Sequence, residues 1–301
     1  MFEKFINKLK NDKYITVEIT PPKSADINST INKIDTLDFT KYIDGFSVTD
    51  SPLAKLKYSP IIASYKIQQA LKKPVIATMN MRDKNKIALQ SDLLAGNDLD
   101  VRSILALTGD PVSISDQPKP KGVFEGTSSL LLDIINNFNN NIDLAGKPIS
   151  PSLNTIYSYA VTNSYTNKPE FLTKKIAKKL EKNLVGIISQ PVFSKDEAKS
   201  LIKIFEDASE ISQNHQTQLI LGFFPILSLK TAIFLNDKVP HIKVPSFWIQ
   251  SLSLAKTPKE EFDIGMKLSI DLFNELKELH PKIHIMSVNK FDIVKDILIN
   301  S

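Results

Sequence analysis

Cysteine is absent from the 301 residues, which excludes disulfides, thiolate catalysis and cysteine-held metals. Histidine is scarce as well: four scattered residues without cysteines cannot be assembled into a ligand set, so no metal site is expected. No apolar run approaches the about 18 residues that would mark a membrane-spanning helix. The opening stretch MFEKFINKLKNDKY is amphipathic and lacks a signal-peptide core, which points to a cytoplasmic protein. With nine glycines and no G-x-G-x-x-G after any apolar run, an open dinucleotide-binding sheet is disfavoured. Lysines are spread along the chain rather than massed beside aromatics. The net charge of +5 therefore suits an anionic small ligand better than a nucleic acid.

What the sequence does contain is alternation. Strands are read at 14–20, 45–50, 74–79, 103–109, 156–161, 185–192, 219–224 and 282–288, from β-branched or apolar runs bounded by turn residues. Helical spacing follows each of them, at 26–35, 60–71, 84–99, 128–140, 169–183, 195–212, 228–236 and 291–300. A longer helix at 259–280 comes after Trp248 and a polar loop. Strand–helix alternation demands a parallel sheet, and eight units are what closes one. The expectation is an α/β fold: one (β/α)8 TIM barrel over residues 1–301, with an extra N-terminal helix and a C-terminal helix. Val, Ile, Leu and Phe of the strands are expected to fill the barrel interior.

In such a barrel the chemistry sits at the carboxyl ends of the strands. Glu18, Thr49, Thr78, Asp110, Asn163, Gln190 and Ser287 should therefore converge on one rim, though they are far apart in the chain. Gly109-Asp110-Pro111 on its own is ordinary turn chemistry. Glu18 is harder to explain that way, because it lies inside a strand directly before Ile-Thr-Pro-Pro. Residues 111–127 form the one long irregular stretch, and its place after Asp110 suggests that it covers a ligand.

A family resemblance runs through nearly the whole chain. Val17-Glu18-Ile-Thr-Pro-Pro-Lys23, Val48-Thr-Asp-Ser-Pro52, Arg82-Asp-Lys-Asn85 with Leu89-Gln-Ser-Asp-Leu-Leu94, Ala106-Leu-Thr-Gly-Asp-Pro111, Gly122-Val-Phe124, Asp143-Leu-Ala-Gly146, Gln190-Pro-Val-Phe193 and Pro240 to Pro245 follow one another in order. Together they resemble the motifs of the methylenetetrahydrofolate reductases of the short, single-barrel bacterial type. The resemblance implies a barrel that binds FAD, takes a hydride from NADH or NADPH and reduces 5,10-methylenetetrahydrofolate to 5-methyltetrahydrofolate, a step of one-carbon metabolism that supplies methionine. It also implies a homo-oligomer.

The resemblance assigns roles by position. Glu18 matches the general acid that protonates the leaving nitrogen as the substrate's five-membered ring opens, a task that needs a raised pKa. Asp110 matches the aspartate beside flavin and pterin, where a carboxylate stabilises the cationic intermediate. Gln190 matches a folate ligand, since an amide offers both donor and acceptor to a pterin edge. His284 and Leu229 stand at substrate-side positions, with structural packing as the competing role for each. Thr49, Thr78, Gly109, Asp110 and Asn163 fall at flavin contacts. Lys175, Lys178 and Lys179 share one helix face where the family holds FAD, Lys179 being the nearest match.

The sequence also departs from the family pattern. Thr78 replaces a common histidine, Asn80-Met81 replace Thr-Cys, and Tyr157-Ser-Tyr-Ala-Val-Thr-Asn-Ser164 replaces a small-residue segment that lets backbone approach the flavin. Two tyrosines there either reshape the cofactor site or fill it. A catalytically weakened or flavin-free folate-binding barrel, acting as a partner subunit, therefore remains the alternative at this point. A barrel methyltransferase acting on a pterin without flavin is a weaker third reading.

Overall fold

The computed structural model describes residues 1–301. An amphipathic helix α1 (Phe2–Asn11) precedes strand β1 (Tyr14–Ile19). Then follow α2 (Asn28–Leu37), β2 (Gly45–Val48), α3 (Pro60–Leu71), β3 (Val75–Asn80), α4 (Lys86–Asp98), β4 (Ser103–Leu107), α5 (Ser128–Asn139) and β5 (Tyr157–Thr162). The second half contains α6 (Pro169–Leu180), β6 (Gly186–Pro191), α7 (Lys195–Ser212), β7 (Gln218–Phe223), α8 (Leu229–Lys238), α9 (Ser246–Ser253), α10 (Pro258–Leu279), β8 (Lys282–Ile285) and α11 (Phe291–Ile299). All eight strands pair in parallel with their sequence neighbours, and β8 returns to β1, so the barrel closes as the alternation requires.

The strand period of two sorts the side chains into two layers. Val17, Ile19, Phe46, Val48, Ile104, Ala106, Leu221 and Phe223 belong to the large apolar layer between barrel and helices. The barrel interior is a different population, which corrects the expectation that Val, Ile, Leu and Phe fill it. Its lower half holds Tyr14, Ile76, Leu105, Tyr159, Ile188 and Ile220. Polar side chains occupy the levels above: Thr16 and His284, whose hydroxyl and Nδ1 lie 2.8 Å apart, then Glu18, Ser47, Thr49 and Thr78 around the mouth.

Helix α1 closes the amino-terminal end. Phe2, Phe5, Ile6 and Leu9 recur at helical spacing and are all buried against the lower barrel cluster, each contributing roughly 1.5–3 kcal/mol by area. The Phe5 ring packs 5.0 Å from Tyr14 and Phe2 stacks 6.4 Å from Tyr157. Arg102 lies over Phe2 and pairs with Glu3, which fixes the start of the helix. Close approach explains Gly45: a Cβ there would sit 2.7 Å from the Phe5 ring and from the Pro74 carbonyl oxygen. The tyrosines of the fifth strand thus belong to the floor. Tyr159 is fully buried with its hydroxyl 3.4 Å from that of Tyr14.

Three local readings are also corrected. The last strand ends at Ile285, not at residue 288, because Val288 and Asn289 take left-handed backbone (φ 50° and 61°). The Asn289 amide then clasps Thr20 through both its backbone groups, at 2.9 and 2.7 Å, joining the last loop to the first. Trp248 lies in α9, a helix the sequence reading did not include, with its indole N–H donating to the Phe193 carbonyl at 2.9 Å. Residues 111–126 lean on the neighbouring loops through Ser115 to Ala54 and Val123 to Arg82; apart from residues before and after this run, nothing in it lines the mouth cavity.

Gly222 tests the closeness of β6 and β7, since a Cβ there would lie 2.8 Å from the Gln190 backbone. Gly222→Ala is expected to lose about 2–3 kcal/mol by overpacking in urea denaturation, whereas Gly146→Ala, with open space around it, pays only for its positive φ, about 1 kcal/mol.

Candidate active site

The carboxyl ends of the strands enclose a cavity of about 770 Å³, within the usual range for small-molecule sites. Glu18 from β1, Thr49 after β2, Thr78 from β3, Gly109 and Asp110 after β4, Gln190 from β6 and His284 from β8 all line it. Lys175, Lys178 and Lys179 face it from α6. Three expected residues lie elsewhere. Asn163 follows the last paired residue of β5, where the chain turns away to bond His241 through Tyr165, and Val161 faces the cavity instead. Leu229 opens α8, donates its N–H to Glu261 at 2.8 Å and packs on the outer apolar layer. Ser287, expected on the rim, is buried without a partner outside the lining.

Glu18 makes no hydrogen bond or ion pair, and burial pushes its carboxyl up to about 7. A protonated acid therefore coexists with its anion near neutral pH. His284 moves the other way: burial lowers it to about 4, so the ring beneath Glu18 is neutral. The Lys179 ammonium donates to the Val161 carbonyl. Burial first, and then Lys175, lower its pKa to about 8.

Asp110 is held in place. Its Oδ2 accepts from the Leu53 N–H at 2.7 Å, across a turn in which Ser51, Leu53 and Ala54 all have φ between 43° and 56°. Left-handed backbone at three non-glycine residues costs about 1–2 kcal/mol each, and the carboxylate is one of the contacts that retain it. Gly109, at φ +96°, permits the approach: a Cβ would meet the Arg82 Cβ at 2.8 Å.

Sequence reasoning missed three residues of this cavity. Asp50 is mostly buried, accepts from the Asn80 N–H (3.1 Å) and Nδ2 (2.6 Å), and is raised to about 6 by burial. As a carboxylate at a strand end beside Thr49, it carried the same signal as Asp110. Arg82 is 2% exposed, chelates Asp83 at 2.8 and 2.6 Å and reaches the Ser51 carbonyl. Lys182 continues the spacing of 175, 178 and 179 and pairs with Asp133 at 2.8 Å; the i, i+3, i+4 pattern already pointed to it. Lys175 and Lys178 form no ion pair, which leaves a cationic wall opposite the acids.

Two buried polar atoms on the lining have no partner, Thr49 Oγ1 and Gln190 Oε1. The other end of the Gln190 amide donates to the Pro240 carbonyl at 3.3 Å. Orphaned groups of this kind are costly in a folded protein unless something completes them, so the cavity is built for a polar ligand with hydrogen-bond donors.

Comparisons with known proteins agree with the barrel fold. No curated protein matches the sequence. Among solved structures, an uncharacterized protein from Clostridium thermocellum that binds two copies of 5-methyl-5,6,7,8-tetrahydrofolic acid is 20% identical, with 99% of this chain and 96% of that chain covered and a TM-score of 0.64. An F420-dependent secondary alcohol dehydrogenase in complex with an F420-acetone adduct (11% identical, 96% and 98% covered, TM-score 0.57) shares the fold. So does EDTA monooxygenase from Chelativorans sp. BNC1 (11%, 96% and 92%, TM-score 0.53). The family model for methylenetetrahydrofolate reductase matches residues 2–301, and this chain belongs to that family.

Proposed function

We propose that the protein reduces 5,10-methylenetetrahydrofolate to 5-methyltetrahydrofolate, with FAD as cofactor and NADH or NADPH as the source of hydride. The observation that carries this reading is Glu18, a carboxyl without partners, raised to about 7 and facing the mouth cavity. Membership of the family supplies the reaction class, and the folate-binding neighbour supports a pterin ligand. The residues fit a flavin: Thr49 Oγ1 lacks a partner, and the α6 lysines offer positive charge for a diphosphate. Thr49, Thr78, Gly109, Lys175, Lys178 and Lys179 would hold FAD, which when bound supplies the hydride transfer between nicotinamide and folate.

The chain's own groups perform the acid–base and binding work. Glu18, raised by burial at the cavity wall, holds a proton and gives it to the nitrogen that leaves as the imidazolidine ring opens. Asp110, fixed by the Leu53 amide, keeps a negative charge where the substrate becomes cationic. Gln190 Oε1, unpartnered, accepts from the pterin edge while its Nε2 stays anchored on Pro240. Neutral His284, held by Thr16, forms an uncharged floor that does not compete for the Glu18 proton. The flavin-free alternative rests on the altered segment Tyr157–Ser164; its two tyrosines lie at the closed end of the barrel, which supports the flavin reading.

Separate half-reactions test the assignment. Glu18→Gln is expected to leave reduction of bound FAD by NADH or NADPH within about twofold, and to slow reoxidation by 5,10-methylenetetrahydrofolate by about 10²–10⁴-fold. Survival of both half-reactions would remove Glu18 from the mechanism. In the wild type, the folate half-reaction should fall as pH rises through about 7, because Glu18 then ionises, and that limb should be missing in the variant. Lys175→Ala with Lys178→Ala should weaken FAD binding by about tenfold at low salt and by less at high salt, as screening of exposed charges requires. Affinity that is unchanged at low salt would place the diphosphate elsewhere.

A further inference from the structure

We propose that a second cavity beside the mouth binds a free α-amino acid with an aliphatic side chain. It measures about 310 Å³ and lies between the segment after β5, the first turns of α7 and residues 243–245. It shares no lining residue with the mouth cavity.

Its polar groups are arranged in pairs that leave something unfinished. Ser194 caps α7 by accepting the Glu197 N–H at 3.2 Å. The Glu197 side chain folds back so that one oxygen, Oε2, accepts the Phe193 N–H at 2.7 Å. That anchor fixes the carboxyl, yet its other oxygen, Oε1, is buried with no partner. Ser164 Oγ, also buried and unpartnered, lines the same cavity. Burial pushes the Glu197 carboxyl up to about 7, against the Phe193 N–H, the nearby Ser164 hydroxyl and Lys243, all of which favour its anion. An acceptor and a hydroxyl left open side by side in a cavity call for a ligand that brings several N–H donors.

The opposite charge stands at the outer edge. Lys243 is exposed, forms no ion pair, and holds its ammonium 5.2 Å from the centre of the Tyr165 ring. Ile204 and Pro245 supply the apolar wall. A ligand with an ammonium for Glu197 and Ser164, a carboxylate for Lys243 and a short aliphatic group for Ile204 matches all three features. A dicarboxylate would meet Glu197 and a diamine would meet Lys243, each with like-charge repulsion. The zwitterion satisfies both ends.

The test uses the full chain and calorimetric titration at a pH about one unit above the Glu197 value, so that the carboxylate is ionised. The probes are L-leucine and its two half-analogues, 4-methylpentanoate without the ammonium and 3-methylbutylamine without the carboxylate. L-leucine is expected to bind, and each half-analogue to bind at least about tenfold more weakly, as loss of one charge-assisted contact predicts. Glu197→Gln, which keeps an oxygen for the Phe193 N–H, and Ser164→Ala should each weaken L-leucine while leaving the thermal melting of the protein cooperative. Saturating FAD and 5-methyltetrahydrofolate should not displace it. The proposal is overturned by absence of L-leucine binding, by half-analogues that bind as well, by affinity unchanged in both variants, or by displacement with the mouth ligands.

Discussion

The strand period of two, imposed on a closed ring of eight, governs everything else in this molecule. Each strand must give one row of side chains to the helices and one to the interior. The helix-facing rows carry the aliphatic residues that make the sequence read as strands. The inward rows carry the aromatic floor, the Thr16–His284 level and the polar mouth. Helix α1 completes the division by covering the floor with four apolar side chains. With one end sealed, the buried polar groups at the other end are left to be satisfied from the mouth.

That gradient sets the ionisation of the site. Glu18 sits at the transition from closed interior to cavity, where it loses water without gaining a partner, and its pKa rises for that reason alone. Asp50, one strand over, is also raised by burial, to about 6, although Lys84, the Asn80 backbone N–H and Arg82 favour its anion. Asp110 lies further out and is bound to the Leu53 amide. The acids thus take graded positions along the cavity, with a lysine face across from them on α6. Such a division, a proton donor at depth and a fixed charge at the edge, suits a substrate that must be protonated and then carries positive charge.

The sequence made the architecture legible because alternation of strands and helices with short links leaves few topologies. Strand-end acids were legible for the same reason: Glu18 and Asp110 are polar residues where a barrel keeps its chemistry. Which way Tyr157 and Tyr159 point was not legible. A one-residue shift in register exchanges interior for exterior and a two-residue shift changes level, so only the pairing of Tyr159 with Gly186 and the seat of α1 place them on the floor. Asn163 and Leu229 lie outside the cavity lining for a different reason, since each lies beyond its strand, where a loop and not the pleat sets direction. Helix α9 escaped because eight residues give too few turns for a period to stand out.

The account stands on a carboxyl kept protonated near neutrality by burial at the barrel mouth. Its most direct test is a titration of the Glu18 side-chain carbon by carbon-13 NMR in the full chain, with Glu18→Gln used to assign the resonance. The account predicts a midpoint near 7. A midpoint in the ordinary carboxylate range, about 4–5, would contradict it.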